Sequence, residues 1–397
     1  MALIVQKYGG SSVATPGQIR KVAGRIVDEQ RKGNQIVVVV SALGDTTDEL
    51  VKLAHQVCSE PPEREMDMLL STGERVSIAL LAMAVIELGG DAISFTGSQI
   101  GIITDNRHTE ARILEIRASR LMEELQKGRA VIVAGFQGVS INKEITTLGR
   151  GGSDATALAL AAALQADRCE MMKDVDGIYL AEPRLIPEVK MNQKISYDEM
   201  LEMSHFGAGV LQTESVEIAK SHNIKVGIGS SSTGKIGTII TDRSLDKSRI
   251  SGIVQRDKLC YLKVSEIQDQ HRSEFMNNVS RQNIKTYLFE AGSGVLEMVF
   301  DSSRKQKVNL CLESIDILPA PKTSFEENLG IVAITGAGLS FASSAARRIF
   351  KVLSDLAFPV QKMEVSQLRI SLLLPQNFVD DMVIELYQRL FEGQEGL

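Results

Sequence analysis

A lysine stands where an apolar run meets two glycines: Leu3-Ile4-Val5-Gln6-Lys7-Tyr8-Gly9-Gly10-Ser11-Ser12. Leu3, Ile4 and Val5 predict a buried strand that stops at the glycines, and Pro16 with Gln18, Ile19 and Arg20 opens a helical pattern. Lys7 is thus at the lip of a strand-loop-helix turn. Adjacent glycines let backbone N–H groups approach a ligand, and a helix N-terminus behind them favours an anion, so the chemistry on offer is phosphate binding. Taken alone, the stretch also fits an ordinary turn with a solvated lysine. A second stretch, Leu148-Gly149-Arg150-Gly151-Gly152-Ser153-Asp154-Ala155-Thr156-Ala157, carries the strongest chemical signal. Three glycines precede a run of helix formers over 155–164. Arg150 presents a fork that matches a carboxylate or phosphate, and Asp154 a counter-charge that can hold a lysine.

Such residues need elements to hold them, and the pattern up to about residue 240 alternates strand and helix. Ile19, Val22, Ala23, Ile26 and Val27 follow helical spacing, and Ile36-Val37-Val38-Val39-Val40 is apolar on both faces. Residues 66–88 predict a long helix, 91–96 a short strand, 114–125 a helix and 130–134 another buried strand. This alternation predicts a parallel sheet covered on both faces, with ligands beyond the carboxyl ends of its strands, where Lys7, Ser41 and Gly135 fall. Beyond about residue 245 the texture changes. Strands at 259–264, 284–289 and 295–300 surround a helix at 271–283, and a strand at 331–335 followed by a helix at 343–356 begins the same order again. Two small βαββαβ-like units are expected, with the boundary near Thr241-Asp242-Arg243-Ser244.

Composition narrows the class. At 397 residues the chain exceeds one ordinary core. A net charge of −6 and no tryptophan argue against nucleic acid or an anionic membrane as the main partner. Cys58, Cys169, Cys260 and Cys311 are far apart, without metal-ligand spacing, and read as reduced thiols. No leader pattern or membrane-length apolar run is read from the sequence, which predicts a soluble cytoplasmic protein.

In combination the motifs resemble the aspartokinases of the amino-acid kinase superfamily. The matching pieces are Lys7-Tyr8-Gly9-Gly10-Ser11-Ser12, Ser41-Ala42-Leu43-Gly44-Asp45-Thr46-Thr47, Thr72-Gly73-Glu74-Arg75, Phe95-Thr96-Gly97-Ser98-Gln99, Gly135-Phe136-Gln137-Gly138, residues 149–154, and Asp174-Val175-Asp176-Gly177-Ile178-Tyr179. The resemblance implies an α/β amino-acid kinase fold over residues 1–245, an open and mostly parallel sheet with helices on both faces. It implies two α+β ACT-like regulatory domains over 246–397, a pair that can intertwine and through which such chains form homo-oligomers. It also implies roles. Lys7, beside Gly9, Gly10 and Ser11, supports the transferring phosphoryl group, and Asp154 organises that lysine. Ser41, Thr47, Glu74, Arg150 and Ser153 hold aspartate: Arg150 takes a carboxylate, Glu74 the ammonium, and the hydroxyls fix orientation. Without the resemblance, Glu74 fits a solvated helix residue and Thr47 a helix cap. Lys173, Asp174, Tyr179, Glu182, Pro183, Arg184 and Lys235 fall where the family meets ATP, and Mg²⁺ arrives with the nucleotide, with no protein metal site.

Departures lie on the nucleotide side. Lys173-Asp174 replaces a Ser/Thr-Asp pair and Glu182-Pro183-Arg184 an Asp-Pro-Arg, while Gly209 stands where the family commonly places a phosphate-contacting lysine. Ser232 replaces another lysine, so Lys173 or Lys235 is expected to supply the cation. The resemblance implies an aspartate kinase forming 4-phospho-aspartate. A weakly catalytic paralogue and a kinase for another amino acid or a nucleotide are the alternatives. Weak lysine and threonine feedback is expected, because the first regulatory turn, Val264-Ser265-Glu266-Ile267-Gln268-Asp269-Gln270-His271, lacks the glycine that a close backbone approach to an effector needs. The second keeps Thr335-Gly336-Ala337-Gly338-Leu339 but continues Ser340-Phe341-Ala342 and ends Met363-Glu364-Val365-Ser366.

Overall fold

A computed structural model describes residues 1–242, 249–315, 321–340 and 343–392. The expected boundary residues Arg243 and Ser244, and Phe341 and Ala342, lie outside the described residues. The chain divides into two compact units. The first comprises Met1–Ile178, Met191–Leu201 and Gly209–Leu245, and the second Tyr179–Lys190, Glu202–Ala208 and Asp246–Leu397.

In the first unit, eight strands run in the order Lys194–Ser196, Ile236–Thr241, Val226–Ser230, Arg168–Lys173, Leu3–Tyr8, Gln35–Val40, Ala130–Ala134, Ala92–Phe95. Every neighbouring pair is parallel except Val226–Ser230 with Ile236–Thr241. The central strands are buried on both faces, as their unbroken valine and isoleucine content requires. Helix Pro16–Arg31 starts at Thr15 in a reciprocal capping box with Gln18 and buries the five apolar residues that its spacing marks. With Ile78, Leu81 and Val85 of helix Glu63–Glu87 they pack on Val38, Val40, Ile132 and Ala134. Helix Gly152–Ala163 packs on strands Leu3–Tyr8, Gln35–Val40 and Arg168–Lys173.

Two expectations are corrected. Residues 114–125 are not one helix: Ile113–Ile116 is a strand paired with Ile102–Thr104, and the helix is Ser119–Gln126. The strand belongs to a second sheet of four, Ile113–Ile116, Ile102–Thr104, Gln137–Ser140 and Ile145–Thr147, whose last strand runs into the 149–154 loop. Helix Glu63–Glu87 is long and apolar enough to cross a membrane, contrary to the sequence reading, and half of its most apolar window is buried within the chain.

The second unit is built on one antiparallel six-stranded sheet, ordered Thr286–Gly292, Val295–Asp301, Arg249–Ser265, Lys322–Ala337, Arg369–Pro375, Lys362–Val365. Its two long strands pair end to end, with register shifts near Leu259. One half buries Cys260, Leu262 and Val264 against Phe275, Val279 and Val308. The other half buries Ile250, Ile253, Val332 and Ile334 against Ile349, Met382 and Leu386. Both α+β halves therefore share the same two strands. The second half's core also takes in Leu180, Ala181, Ile186 and Val189 from the early insertion.

Candidate active site

Two neighbouring strands of the large sheet deliver lysines to one place. Lys7 lies opposite Met171 in the parallel register of Leu3–Tyr8 and Arg168–Lys173. Lys173, two residues beyond Met171, leaves the same face of the sheet. Between them stands Asp154, in the first turn of helix Gly152–Ala163. One carboxylate oxygen is 2.7 Å from the Lys7 Nζ and the other 2.6 Å from the Lys173 Nζ. The three side chains are 8%, 6% and 17% exposed for Lys7, Asp154 and Lys173, so the triad is largely sealed from bulk water. Burial alone would raise the Asp154 pKa, but the two ammonium groups hold it below the usual carboxylate range. Burial and the Lys7 charge lower the Lys173 pKa against the pull of Asp154.

The triad is the floor of a cavity of about 520 Å³ that also receives Ser41, Thr47, Glu74, Arg150, Ser153 and Gly209. Gly149 and Gly151, both in the left-handed region at φ 72° and 75°, curl the loop that carries Arg150. Arg150 is exposed, and no carboxylate pairs with it among the described residues. Ser41, just past the end of strand Gln35–Val40, donates its hydroxyl to Ser153 Oγ at 3.1 Å. Helix Glu63–Glu87 comes close enough to this loop that a Cβ on Gly73 would lie 2.7 Å from Ala42 Cβ. That approach puts Glu74 into the cavity wall. Its Oε1 accepts from the Ala42 N–H at 3.2 Å, its Oε2 has no partner, and the residue is 2% exposed. Burial outweighs the backbone donor and pushes its pKa up to about 7. Glu74 is therefore not the solvated helix residue that its sequence position alone allows, and Thr47 projects from the first turn of helix Thr46–Val57 into the same cavity.

The rest of the expected set is distributed. A Cβ on Gly9 would be 3.6 Å from the Lys7 Nζ, and one on Gly10 would press on the Ala42 and Gly44 carbonyls at 2.8 Å, so both glycines allow the turn beside the lysine. Ser11, Asp174 and Lys235 are exposed and do not line the cavity. Tyr179, Glu182, Pro183 and Arg184 belong to the second unit, where Arg184 lies 3.9 Å from Glu182. Of the two lysines expected to supply a cation, the cavity contains Lys173.

Val51, Phe136 and Gln212 line the cavity without a role having been assigned to them from the sequence, although Phe136 stands in the Gly135-Phe136-Gln137-Gly138 motif. Val51 had a signal, one helical turn after Thr47. Phe136 adopts a left-handed φ of 66° between the strand end and the small sheet, which no local pattern announces. A fully buried support was also missed. Asp67 accepts from His108 Nδ1 at 2.6 Å, the Thr109 N–H at 3.0 Å and the Thr147 hydroxyl at 2.5 Å. These bonds tie helix Glu63–Glu87 to the strand that leads into Gly149. Cations at the floor, a guanidinium at the mouth and a carboxylate in the wall suit the binding of an anion beside a zwitterionic acceptor.

Comparison with known proteins agrees in extent and in kind. Residues 2–230 match the amino acid kinase family. The chain is 41% identical to an aspartokinase of Geobacillus stearothermophilus, covering all of this chain and 99% of the relative. It is 40% identical to aspartokinase 2 of Bacillus subtilis, over 96% of this chain and 95% of the relative. Among solved structures it is similar to E. coli aspartokinase III in complex with aspartate and ADP in the R-state, with a TM-score of 0.85 and 25% identity over 98% of this chain and 100% of the other.

Proposed function

Because this chain belongs to the aspartokinases, within the amino acid kinase family, we propose that it transfers the γ-phosphoryl group of ATP to the side-chain carboxylate of L-aspartate. The observation that carries this reading is the cavity itself, in which the Lys7–Asp154–Lys173 floor lies below Ser41, Thr47, Glu74, Arg150 and Ser153. In the reaction the bond from the γ-phosphorus to the bridging oxygen of ADP breaks, and a bond to an aspartate carboxylate oxygen forms, giving ADP and 4-phospho-L-aspartate. Phosphoryl transfer asks a protein mainly for positioning and charge neutralisation. Lys7 neutralises the transferring group, with Gly9, Gly10 and Ser11 beside the phosphates. Arg150 takes the aspartate α-carboxylate, Glu74 its ammonium, and Ser41, Thr47 and Ser153 orient it. Asp174 and Lys235 of the first unit serve the nucleotide.

Among the described residues no three His, Cys, Asp or Glu side chains gather as metal ligands. Mg²⁺ enters on the phosphates, where it neutralises charge. Residues 246–397 serve as the ACT-like regulatory pair and as the surface for homo-oligomer formation. The chain works in the cytoplasm on the first step towards lysine, threonine and methionine. A coupled assay of ADP release with aspartate, with glutamate and with no acceptor tests the reading. ADP formation that depends on aspartate supports it, and formation independent of acceptor or specific for glutamate overturns it.

A further inference from the structure

Two ammonium groups share one carboxylate on the cavity floor, which leaves one uncompensated positive charge among side chains that are 8%, 6% and 17% exposed. An excess charge so placed is costly unless an anion completes it. Lys7 and Lys173 rise from the same face of adjacent parallel strands, so Asp154 fixes their spacing as well as their charge. Arg150, the other cation lining the cavity, is at its exposed rim. Gly209 lines the cavity too, and nothing lies within 4 Å of where its Cβ would be, so a side chain can start from that wall without a clash and none does. We infer that Lys173 is the second phosphate-binding cation of this site, paired with Lys7 through Asp154, and that the open wall at Gly209 is a position from which a lysine can take over its task.

The inference rests on the phosphoryl-transfer reading above but not on aspartate as the acceptor. Burial and the neighbouring Lys7 already lower the Lys173 pKa, so a phosphate brought against it restores the charge balance that the strand ends lack. Lys173→Met keeps the length of the side chain and removes its charge. It is expected to lower kcat about 100-fold and to weaken binding of a non-hydrolysable ATP analogue about tenfold, with a smaller effect on the aspartate KM. Adding Gly209→Lys to Lys173→Met should recover at least about tenfold of the lost kcat and most of the analogue affinity, which a merely structural lysine would not allow. Lys173→Arg, which keeps the charge, covers the case in which the methionine variant unfolds: it should bind the analogue within a few-fold of the parent. Analogue binding is read without any acceptor, so a wrong acceptor leaves this test intact. The inference is overturned if folded Lys173→Met binds the analogue and turns over like the parent, if Gly209→Lys restores neither property, or if folded Lys173→Arg loses the analogue.

Discussion

Glu74 is a buried carboxylate with one oxygen unpartnered, and burial pushes its pKa up to about 7, so its charge is unsettled near neutral pH. The sign follows directly: above pH 7 it is ionised and can pair with an ammonium, and below it is neutral and cannot. We therefore expect kcat/KM for aspartate to fall as pH drops through about 7, a limb that reports the free enzyme. Glu74→Gln should lower the plateau and flatten that limb, and an unchanged pH profile in this variant would remove Glu74 from aspartate binding. Arg150 differs in kind, being exposed and unpaired by any carboxylate among the described residues. Arg150→Ala should raise the aspartate KM by more than about tenfold while the ATP KM stays within a few-fold, because a charge-assisted bidentate contact is lost on one substrate only. The reverse split would turn Arg150 towards the nucleotide. Arg150 was legible from its place in a glycine-rich turn ahead of a helix, and Glu74 only through the family resemblance, since within a helix it also fits a solvated residue. The burial of Glu74 was not, because it depends on how close Gly73 brings its helix to Ala42.

At the scale of elements, the loop that carries Arg150 is only as well placed as the segments on either side of it. Asp67 receives three donors from the 108–109 turn and from Thr147, and a Cβ on Gly149 would lie 3.2 Å from the Thr109 carbonyl. Asp67→Asn turns one of these acceptors into a donor that faces donors, at a cost of about 1–3 kcal/mol. The expected result is a lower thermal midpoint together with a raised aspartate KM. A stable variant with an unchanged KM would show that the loop is held by other means. The elements recovered from the sequence are those whose burial is continuous, such as Gln35–Val40 and Ala130–Ala134, or whose apolar stripe is clean, such as Pro16–Arg31. Residues 114–125 misled because Leu114, Leu121 and Leu125 keep helical spacing, yet Leu114 is 59% exposed and Ile113 and Ile116 answer to Thr104 and Ile102 of an earlier strand. Strand pairing is a distant contact that local periodicity does not encode. The same holds for Arg249–Ser265 and Lys322–Ala337, of which only 259–264 and 331–335, towards their C-terminal ends, were legible.

Across the whole molecule, the question is what the second unit can sense. In the turn where the resemblance places an effector, Glu266 itself takes the left-handed conformation at φ 66°, a strain of about 1–2 kcal/mol for a residue with a Cβ, and its carboxylate pairs with Lys322. In the other half Gly338 has φ 69° and Leu339 is buried, its N–H bonded to the Gln367 carbonyl at 2.8 Å. A side chain and a satisfied amide stand where a free backbone would be needed. Lysine and threonine, alone or together, should therefore change the initial rate little at subsaturating aspartate, and strong concerted inhibition at low millimolar concentrations would refute this. The interleaving of the two units has a consequence in time. Leu180, Ala181, Ile186 and Val189 share a core with Leu386 and Leu390, so these early residues leave the ribosome without the partners that bury them. The first of those partners, Ile250 and Ile253, are made about 60–70 residues later, and the last, Leu386 and Leu390, about 200 residues later, roughly 10–40 s at ordinary rates of synthesis. Until the last of them emerges, the nascent chain carries this apolar segment without its complete core, between two stretches of sequence that build the first unit.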